Sequence, residues 1–497
     1  MGGVPLTASF CPTFREVLRM LNHGINTYKD DSGYVTVKSA ACGIPIFFGA
    51  WPCHTAKGFM GKPQLVNGFA EAKELGGYSD EWRTENGDPK WTLCQAMYSH
   101  FRLFGVSPAI FYNVFDPAKH KTDVPAADVN VVDHTVVLPP EAFDNDKLVV
   151  KTTGEGGAAL AKGTDYDVFY TATDCRIELI KGGSEYNATT LNIAYEKANP
   201  EAITAEDIEA AVEKVEMCRS TVGIVPDLLC APGWSSNPVV AAVMDAKAEN
   251  IEGLYKAKAV VDLDTSAEGA NTVEKVKAYK DENGYTSENM IVCWPMVKKG
   301  GYLFDLSTIV CGLIASLDSD NGNCPFESPS NKSIDISGAV LKDGTEISLS
   351  YPQADTISYA DGVVTVIHHD EWTLWGNYTG CWPELQDVAK HFICTNRTQD
   401  WICNTFVNLY RKYTDRPLTR ILIDAIVNHF NIWLNGLTAE GKLCGGEIQY
   451  IGDNNPDRDL LKGKFRLDTK AASPVPAEQI NMHIEYSVDM LTEALSA

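Results

Sequence analysis

Val222-Gly223-Ile224-Val225-Pro226-Asp227-Leu228-Leu229-Cys230-Ala231-Pro232-Gly233 is an apolar run that closes on a Pro-Gly turn. An apolar run bounded by turn residues is typical of a buried strand, which we predict over 222–231. Helix and strand patterns then alternate as helix 238–248, strand 258–263, helix 271–280, strand 289–294 and helix 306–317. Because parallel strands need long crossover connections, this alternation predicts a parallel sheet with helices on its faces.

The chain before this run starts the same α/β layer. Residues 43–50 and 106–115 are apolar runs of strand length, and apolar positions recur every three or four residues between 91 and 104. A strand, a helix and a second strand are therefore expected here. A further helix, capped by Thr204, is predicted at 205–218.

Two stretches depart from the α/β pattern. Between 119 and 200, short segments rich in Val, Thr and Tyr are separated by Gly, Asp and Asn, as in an antiparallel β-domain. Because α/β patterns flank this segment, we predict that it is an insertion. Another β-rich stretch ends in apolar runs at 362–367 and 372–376, and helices are predicted over about 382–437.

These patterns divide the chain into regions. The first region, residues 1–42, contains apolar residues from Phe10 to Leu21 at helical spacing and a short predicted strand at 34–37. The predicted regions are an N-terminal lead-in (1–42), the two parts of the α/β core (43–118 and 201–380), the β-rich insertion (119–200), a C-terminal helical region (381–472) and a C-terminal strand arm (473–497).

Composition excludes several classes of protein. The chain has 497 residues, too many for one hydrophobic core, and a formal net charge of −24. Such an acidic surface repels nucleic acid, so direct binding to DNA or RNA is not expected. No run approaches the roughly 18 consecutive apolar residues that a membrane span needs, and no signal-peptide pattern is present at the start. Membrane insertion is therefore not expected.

The cysteines indicate a reducing compartment. Fourteen are scattered through the chain from Cys11 to Cys444, mostly inside apolar segments. A secreted disulfide framework is dense and occurs in short chains, so buried free thiols, formed in a reducing cytoplasm, are the better interpretation.

The search for catalytic chemistry gives little. The sequence contains no Gly-x-x-x-x-Gly-Lys-Ser/Thr loop, no Gly-x-Gly-x-x-Gly turn after a strand and no Gly-x-Ser-x-Gly elbow. His368-His369-Asp370-Glu371 is interpreted as a hairpin turn rather than a metal site, because adjacent side chains point to opposite faces. Asp262 and Asp264 flank the end of a strand, where ligands often bind, but ordinary helix-capping turns use the same residues. We predict no catalytic residue, cofactor or metal.

The end of the chain alternates strictly between apolar and polar residues. The apolar positions are Ile480, Met482, Ile484, Tyr486, Val488 and Met490. A period of two residues predicts a half-buried strand, and Ser473-Pro474-Val475-Pro476 before it predicts an extended spacer. A lone terminal strand has to pair with a sheet edge, either in its own subunit or in a neighbour.

Several segments together resemble the contractile tail sheath proteins of phages, phage-tail-like bacteriocins and contractile injection systems. The Pro-Asp, apolar run and Ala-Pro-Gly turn of 222–233 carry the resemblance most clearly. The other similar segments, in the order of the family, are Gly43–Ala50, Ala257–Asp264, Asn289–Val297 with Trp294-Pro295, Gly312-Leu313-Ile314-Ala315 with Asp318 and Gly322, Ser328-Pro329-Ser330-Asn331, Leu374–Thr379, Asn396-Arg397-Thr398 and Asp400-Trp401-Ile402.

The resemblance implies a structural, non-enzymatic subunit with no cofactor. It implies a core of subtilisin-like topology, and stacked rings around a tail tube that contract to drive the tube through a target envelope. Its implied partners are copies of itself, the tube protein, and baseplate and tail-terminator proteins, in a virion tail assembled in the bacterial cytoplasm. It also suggests that the terminal strand pairs with a neighbouring subunit.

One basic cluster, formed by Arg411, Lys412, Arg416 and Arg420, is a candidate tube-facing surface. An ordinary solvated helix face explains the same residues. Two other functions remain open at this point: a hydrolase on a subtilisin-like sheet, since a Ser-His-Asp triad needs no proximity in sequence, and a non-contractile surface or adhesin protein.

Overall fold

The computed structural model describes residues 39–58, 61–153, 156–171 and 173–496. The helix predicted from Phe10 to Leu21 and the strand predicted at 34–37 lie outside the described residues. None of the described helices combines the length and the apolar character that crossing a lipid bilayer requires.

The first part of the chain forms three strands and two helices. They are β1 (Pro45–Gly49), β2 (Gln64–Val66), α1 (Phe69–Gly76), α2 (Thr92–Tyr98) and β3 (Ala109–Asn113). The helix predicted over 91–104 is α2 followed by a π-helical turn at Ser99–Leu103.

The β-rich stretch forms six strands. They are β4 (Lys121–Asn130), β5 (Thr135–Leu138), β6 (Val149–Lys151), β7 (Tyr166–Tyr170), β8 (Cys175–Leu179) and β9 (Thr190–Ala198). They make two three-stranded antiparallel sheets, in the orders β4-β9-β6 and β5-β8-β7. A cluster of buried side chains, including Val136, Ile177 and Ile193, fills the space between them.

The next part alternates helices and strands. Its elements are α3 (Ala205–Val212), α4 (Cys218–Thr221), β10 (Leu228–Cys230), α5 (Pro238–Glu249), β11 (Lys258–Asp262), α6 (Val273–Glu282), β12 (Met290–Cys293), β13 (Met296–Lys299), β14 (Tyr302–Phe304), α7 (Leu306–Asp320), β15 (Lys332–Ser333), β16 (Gly338–Val340), β17 (Glu346–Ile347), α8 (Tyr351–Asp355), β18 (Thr365–His368) and β19 (Trp372–Trp375). Thr204 caps α3, as predicted: its hydroxyl accepts a hydrogen bond from the Asp207 N–H, which satisfies a donor of the first turn.

The central sheet has six strands in the order β12-β11-β10-β1-β3-β2. The first five are parallel, and β2 is antiparallel at the edge. Every residue of β1 is buried, because a parallel sheet is covered on both faces. Ile46 lies level with Leu229 on one side and with Ile110 on the other. The predicted mixed α/β fold is confirmed.

Strand β10 is shorter than the strand predicted over 222–231. Helix α4 extends to Thr221, and Pro226 has no N–H to donate to a ladder. The carboxylate of Asp227 instead accepts hydrogen bonds from the N–H groups of Gly43 and Ile44, which lie just before β1. Regular pairing therefore starts only at Leu228.

The C-terminal part contains α9 (Val388–His391), α10 (Ile393–Tyr410), α11 (Arg420–Ala439), β20 (Gly445–Gln449), α12 (Asp457–Leu460), β21 (Asp468–Ala472) and α13 (Val488–Ser496). The region predicted to be helical also contains a small sheet, since β20 and β21 pair antiparallel. Asn431 on α11 binds the backbone of Ile448 through both its side-chain oxygen and its side-chain nitrogen, and so fixes this sheet against the helix.

The predicted C-terminal strand is wrong in part. Val488 and Met490, assigned to the strand, lie in helix α13. The side chain of Ser487 accepts a hydrogen bond from the Met490 N–H and so caps the helix, and Val488, Leu491 and Leu495 lie on one helical face. Ile480, Met482, Ile484 and Tyr486 lie in a segment without helix or strand, which pairs with no strand of the described chain.

Candidate functional site

The carboxyl end of β11 has the geometry of a structural site. Asp262 is buried, and its carboxylate accepts hydrogen bonds from the Ser235 hydroxyl at 3.0 Å and from the Ser307 N–H at 2.9 Å. Burial and the nearby Asp305 carboxylate raise the pKa of Asp262 to about 7. Ser307 lies in the first turn of α7, so Asp262 satisfies a free helix N–H from a different part of the chain.

The other residues considered as ligand or metal sites, Asp264 and His368 to Glu371, also have structural roles. Asp264 closes a turn by accepting hydrogen bonds from the N–H and the hydroxyl of Ser266, at 3.0 and 2.6 Å. The residues His368 to Glu371 join β18 to β19 in an exposed hairpin turn, as predicted.

The opposite, amino-terminal edge of the sheet contains a buried ion cluster. The guanidinium of Arg397 on α10 contacts Asp318 on α7 at 2.5 Å and Asp227 before β10 at 2.7 Å. The thiol of Cys42 donates to Asp318 at 3.0 Å. Cys42, Asp227 and Asp318 would be near enough to one another to bind a metal ion. The guanidinium lies against both carboxylates, so these residues are better described as an ion cluster than as a metal site.

The charges of this cluster affect one another. The two carboxylates raise the pKa of Arg397 against the opposing effect of its burial. Burial raises the pKa of Asp227, while Arg397 lowers it. A cluster of this kind stabilises the fold only when every member is paired.

Further contacts fix helix α10 to the same edge of the sheet. Lys258, the first residue of β11, is buried and pairs with Asp400 at 2.7 Å. The indole N–H of Trp401 donates to the Ala40 carbonyl at 3.1 Å, and the Ala40 N–H donates to Thr405 at 2.9 Å. Helix α10 and the α/β core therefore belong to one compact unit.

The C-terminal arm, which we define as residues 473–496, is held much more weakly. The hydroxyl of Tyr378 donates to the Glu478 carboxylate at 2.6 Å, and the Tyr378 ring stacks on Trp382 with centroids 4.4 Å apart. Beyond Glu478 the apolar side chains of the arm face solvent: Ile480 is 88% exposed and Ile484 is 81% exposed. Apolar side chains in an unbroken exposed series indicate a surface that is covered in an assembly.

The sheet formed by β20 and β21 pairs with no further strand of the described chain; Asn431 binds the outer edge of β20 at Ile448, and the outer edge of β21 is open. Beside it lies a groove of about 690 Å³. The groove is lined mainly by apolar side chains of α10, α11, the sheet and the segment before β21: Ile402, Cys403, Phe406, Val407, Phe430, Ile448, Phe465, Leu467 and Ala471. Open strand edges and apolar grooves are both common binding surfaces for other protein chains.

The predicted basic cluster lies where α10 is joined to α11. The guanidinium of Arg416 and the ammonium of Lys412 lie over the ring of Tyr413, at 4.6 and 5.5 Å from its centroid. Arg420 is exposed and pairs with Asp424 one turn along α11. The four cationic side chains are thus solvent-exposed and lie on one connecting segment.

Thirteen cysteines lie in the described part of the chain, and all thirteen are free thiols. Eleven of them are buried, which agrees with the interpretation as buried free thiols. The remaining cysteine, Cys11, lies outside the described residues.

Three features of the surface and core were not predicted from the sequence. They are the cluster around Arg397, the β20–β21 sheet with its groove, and the contact of Glu478 with Tyr378. A signal for the first existed, because Asp227, Asp318 and Arg397 all belong to the segments that resemble sheath proteins. The sequence pattern does not predict that these distant segments are in contact.

Comparisons with known proteins agree with this architecture. No protein-family model matches the sequence. The tail sheath protein of Burkholderia phage BcepMu is 24% identical over 492 residues, which cover 94% of this chain and 97% of that protein. A putative prophage major tail sheath protein of Pseudomonas aeruginosa is 26% identical over 282 residues, covering 56% of this chain and 69% of that protein.

A solved structure has the same fold. It is the sheath complex of an extracellular contractile injection system, PVC, in the contracted state. The TM-score is 0.55 at 13% identity, and the alignment covers 95% of this chain and 99% of that one. The fold, the unpartnered arm and these similarities define a structural protein that assembles with copies of itself, rather than an enzyme. The tail sheath relatives and the solved sheath structure together support a contractile tail sheath family and a structural sheath subunit for this chain.

Proposed function

We propose that copies of this subunit stack as rings around a rigid tail tube in a metastable extended state. Contraction rotates and re-packs the subunits and drives the tube through the target envelope. The energy comes from the difference between two packings of the same rigid units, so no nucleotide is needed.

The exposed C-terminal arm is the observation that carries this proposal. Its residues from 479 to 487 form neither helix nor strand, their alternating apolar side chains are exposed, and they pair with no strand of the described chain. The arm of one subunit adds to an open edge of the β20–β21 sheet of a neighbour, through Ile480, Met482, Ile484 and Tyr486. Main-chain hydrogen bonds then link the subunits while each core moves as a whole.

The regions of the subunit have separate tasks in this proposal. The α/β core of subtilisin-like topology, residues 43–118 and 201–380, provides the rigid body. The inserted domain, residues 119–200, extends from it, and its separate buried cluster supports this division. Residues 381–472 carry the sheet that receives the arm, and residues 1–42 form the lead-in.

The other partners belong to the same tail. The exposed cluster of Arg411, Lys412, Arg416 and Arg420 holds the tube through reversible, salt-screened contacts. Baseplate and tail-terminator proteins contact the two ends of the polymer. Assembly takes place in the host bacterial cytoplasm, which the free thiols of the described chain support, because disulfides are rare in a reducing compartment.

Electron microscopy of the purified protein tests this function. At high concentration we expect hollow cylinders or stacked rings, because every subunit carries both the arm and the sheet that receives it. A strictly monomeric sedimentation profile at all concentrations and salt conditions would contradict the proposal.

A further inference from the structure

Helix α13, at the tip of the arm, needs a surface that its own subunit does not give it. Its nine residues are all exposed where they are described, and its apolar face is formed by Val488, Leu491 and Leu495. Isolated helices shorter than roughly 12–15 residues are marginal in water. A helix this short therefore requires a docking surface for its apolar face.

The groove beside β20 and β21 has the matching shape and chemistry. Side chains of α10 and α11 form one wall, and Phe465, Leu467 and Ile448 belong to the other. Apolar side chains at positions i, i+3 and i+7 of an amphipathic helix are the usual anchors in such a groove. The three apolar residues of α13 have this spacing.

The charges of the two surfaces are complementary. The last 25 residues of the chain contain no Lys or Arg and four acidic residues: Glu478, Glu485, Asp489 and Glu493. The segment that forms one side of the groove contains Lys462, Lys464, Arg466 and Lys470, all exposed, and a single acidic residue, Asp468. Opposite charges favour the encounter of the two surfaces and select the partner.

The course of the arm shows which copy supplies the helix. The arm starts after Ala472, beside the groove, and by Glu478 it has reached Tyr378. Tyr378 pairs with Phe392, immediately before α10. The groove residues of α10 start at Gln399, seven residues and about 10 Å further along the helix. The arm thus leaves the groove before α13 begins, and the side chains of α13 stay exposed in their own subunit.

We propose that α13 of one subunit occupies the groove of a neighbouring subunit, with Val488, Leu491 and Leu495 against its apolar walls. This inference rests on the proposed function, because it specifies how the arm is held after it reaches a neighbour. The helix then locks the arm at a second point beyond the added strand.

Cysteine crosslinking of the assembled protein tests the inference, because the groove already contains an exposed thiol, Cys403. Leu495→Cys is made in a Cys444→Ser background, which removes the other exposed cysteine of the described chain. Assembled protein is treated with a short bismaleimide, run on a denaturing gel, and the linked peptides are identified by mass spectrometry. We expect crosslinks between position 495 and Cys403 that join separate chains, and their loss when Cys403→Ser is added.

Two matched variants complete the test. Glu493→Cys places the thiol on the opposite face of α13 and is expected not to crosslink. Met482→Cys places the thiol in the segment before α13. If position 482 crosslinked to Cys403 and position 495 did not, the inference would be overturned. A 495–403 crosslink confined to single chains, or its absence from cylinders that form normally, would also overturn it. Failure of the unmodified protein to form cylinders would instead remove the proposed function and, with it, the basis of this inference.

Discussion

At the scale of single residues, the fold depends on a few charges buried where distant segments meet. Arg397 forms ion pairs with Asp227 and Asp318, which come from different parts of the chain. Gly43 lies at the same place with a φ of +66°, and a Cβ there would approach the Ala315 Cα to 3.0 Å. The junction of α10, α7 and the sheet therefore leaves little room for other side chains.

Replacement of Arg397 should strongly destabilise the folded protein. Arg397→Met is expected to lower the free energy of unfolding by about 3–5 kcal/mol, because it leaves two buried carboxylates without a counter-charge. Urea denaturation measures the change. Arg420→Ala is the matched control: this exposed arginine pairs with Asp424 on its own helix and lies over the ring of Tyr450, and the loss of such exposed contacts should leave the transition midpoint almost unchanged. An Arg397→Met protein as stable as the wild type would show that the cluster contributes nothing.

Asp262 makes stability depend on pH in a defined direction. The carboxyl group has a pKa of about 7 in the folded protein and an ordinary value of 3.8. Between these values the folded protein binds one proton more than the unfolded chain. The free energy of unfolding contributed by this group therefore falls as pH rises, by about 1.4 kcal/mol per pH unit, and becomes constant above about pH 7.

Asp262→Asn should remove this dependence. The amide accepts a hydrogen bond from the Ser307 N–H and donates one to the Ser235 hydroxyl, so the local geometry is kept. Relative to the wild type, the variant should gain on the order of 4 kcal/mol between pH 4 and pH 7. Denaturant unfolding of both proteins across this range gives the difference. A difference that stays constant with pH would show that Asp262 does not hold its proton in the folded state.

At the scale of elements, the arm and the sheet of β20 and β21 are complementary. The arm presents an unpaired backbone and exposed apolar side chains, whereas the sheet presents the open edge of β21 and an apolar groove. Within one subunit the arm contributes little burial. In the proposed assembly, each apolar side chain of the arm that is fully buried against a neighbour contributes roughly 1.5–3 kcal/mol to the free energy of association. Repetition of this contact in every subunit adds to the stability of the lattice.

Removal of the arm should thus separate folding from assembly. A protein lacking residues 475–497 is expected to melt at the wild-type temperature, because almost none of the deleted side chains packs in its own subunit. It should form no cylinders. Calorimetry and electron microscopy of the same preparation measure the two properties together. A melting temperature lower by many degrees, or continued formation of cylinders, would show that the arm is not the link between subunits.

At the scale of the whole molecule, the core is held together by buried ion pairs, whereas the C-terminal arm makes few contacts with it. Two buried ion contacts, Arg397 with its carboxylates and Lys258 with Asp400, fix α10 to the sheet. The described contact that holds the arm beyond residue 473 to the body is made by Glu478 with Tyr378 and its neighbour Asn377. A change in how subunits pack can therefore leave the core unaltered.

The thiols of the whole chain provide a further test. All fourteen cysteines should be free in the assembled particle, because those described are unpaired and assembly in a reducing compartment is proposed. Thiol titration under denaturing, non-reducing conditions should recover close to the full complement. Recovery of only a few thiols would contradict assembly in the cytoplasm.

The elements of the core could be predicted because their signals are local. Strands β1, β11 and β12 are apolar runs, and helices α5, α6 and α7 show helical periodicity, so each was predicted within a few residues of its observed bounds. The arm shows the limit of this reasoning. Residues 480–490 alternate with a period of two, yet the apolar positions 488, 491 and 495 also fit a helix, and the cap at Ser487 decides for the helix.

The sequence by itself determined the alternation of strands and helices, the β-rich stretch, the lack of phosphate-loop and nucleophile-elbow motifs and the resemblance to sheath proteins, because all of these follow from local patterns. Only the tertiary structure decided that Arg397 meets Asp318, 79 residues away, and Asp227, 170 residues away. It also decided that an apolar groove opens beside β20 and β21, and that the arm finds no partner in the described part of its own chain. These contacts depend on how helices pack against the sheets. They join residues far apart in the sequence, so no short sequence pattern predicts them.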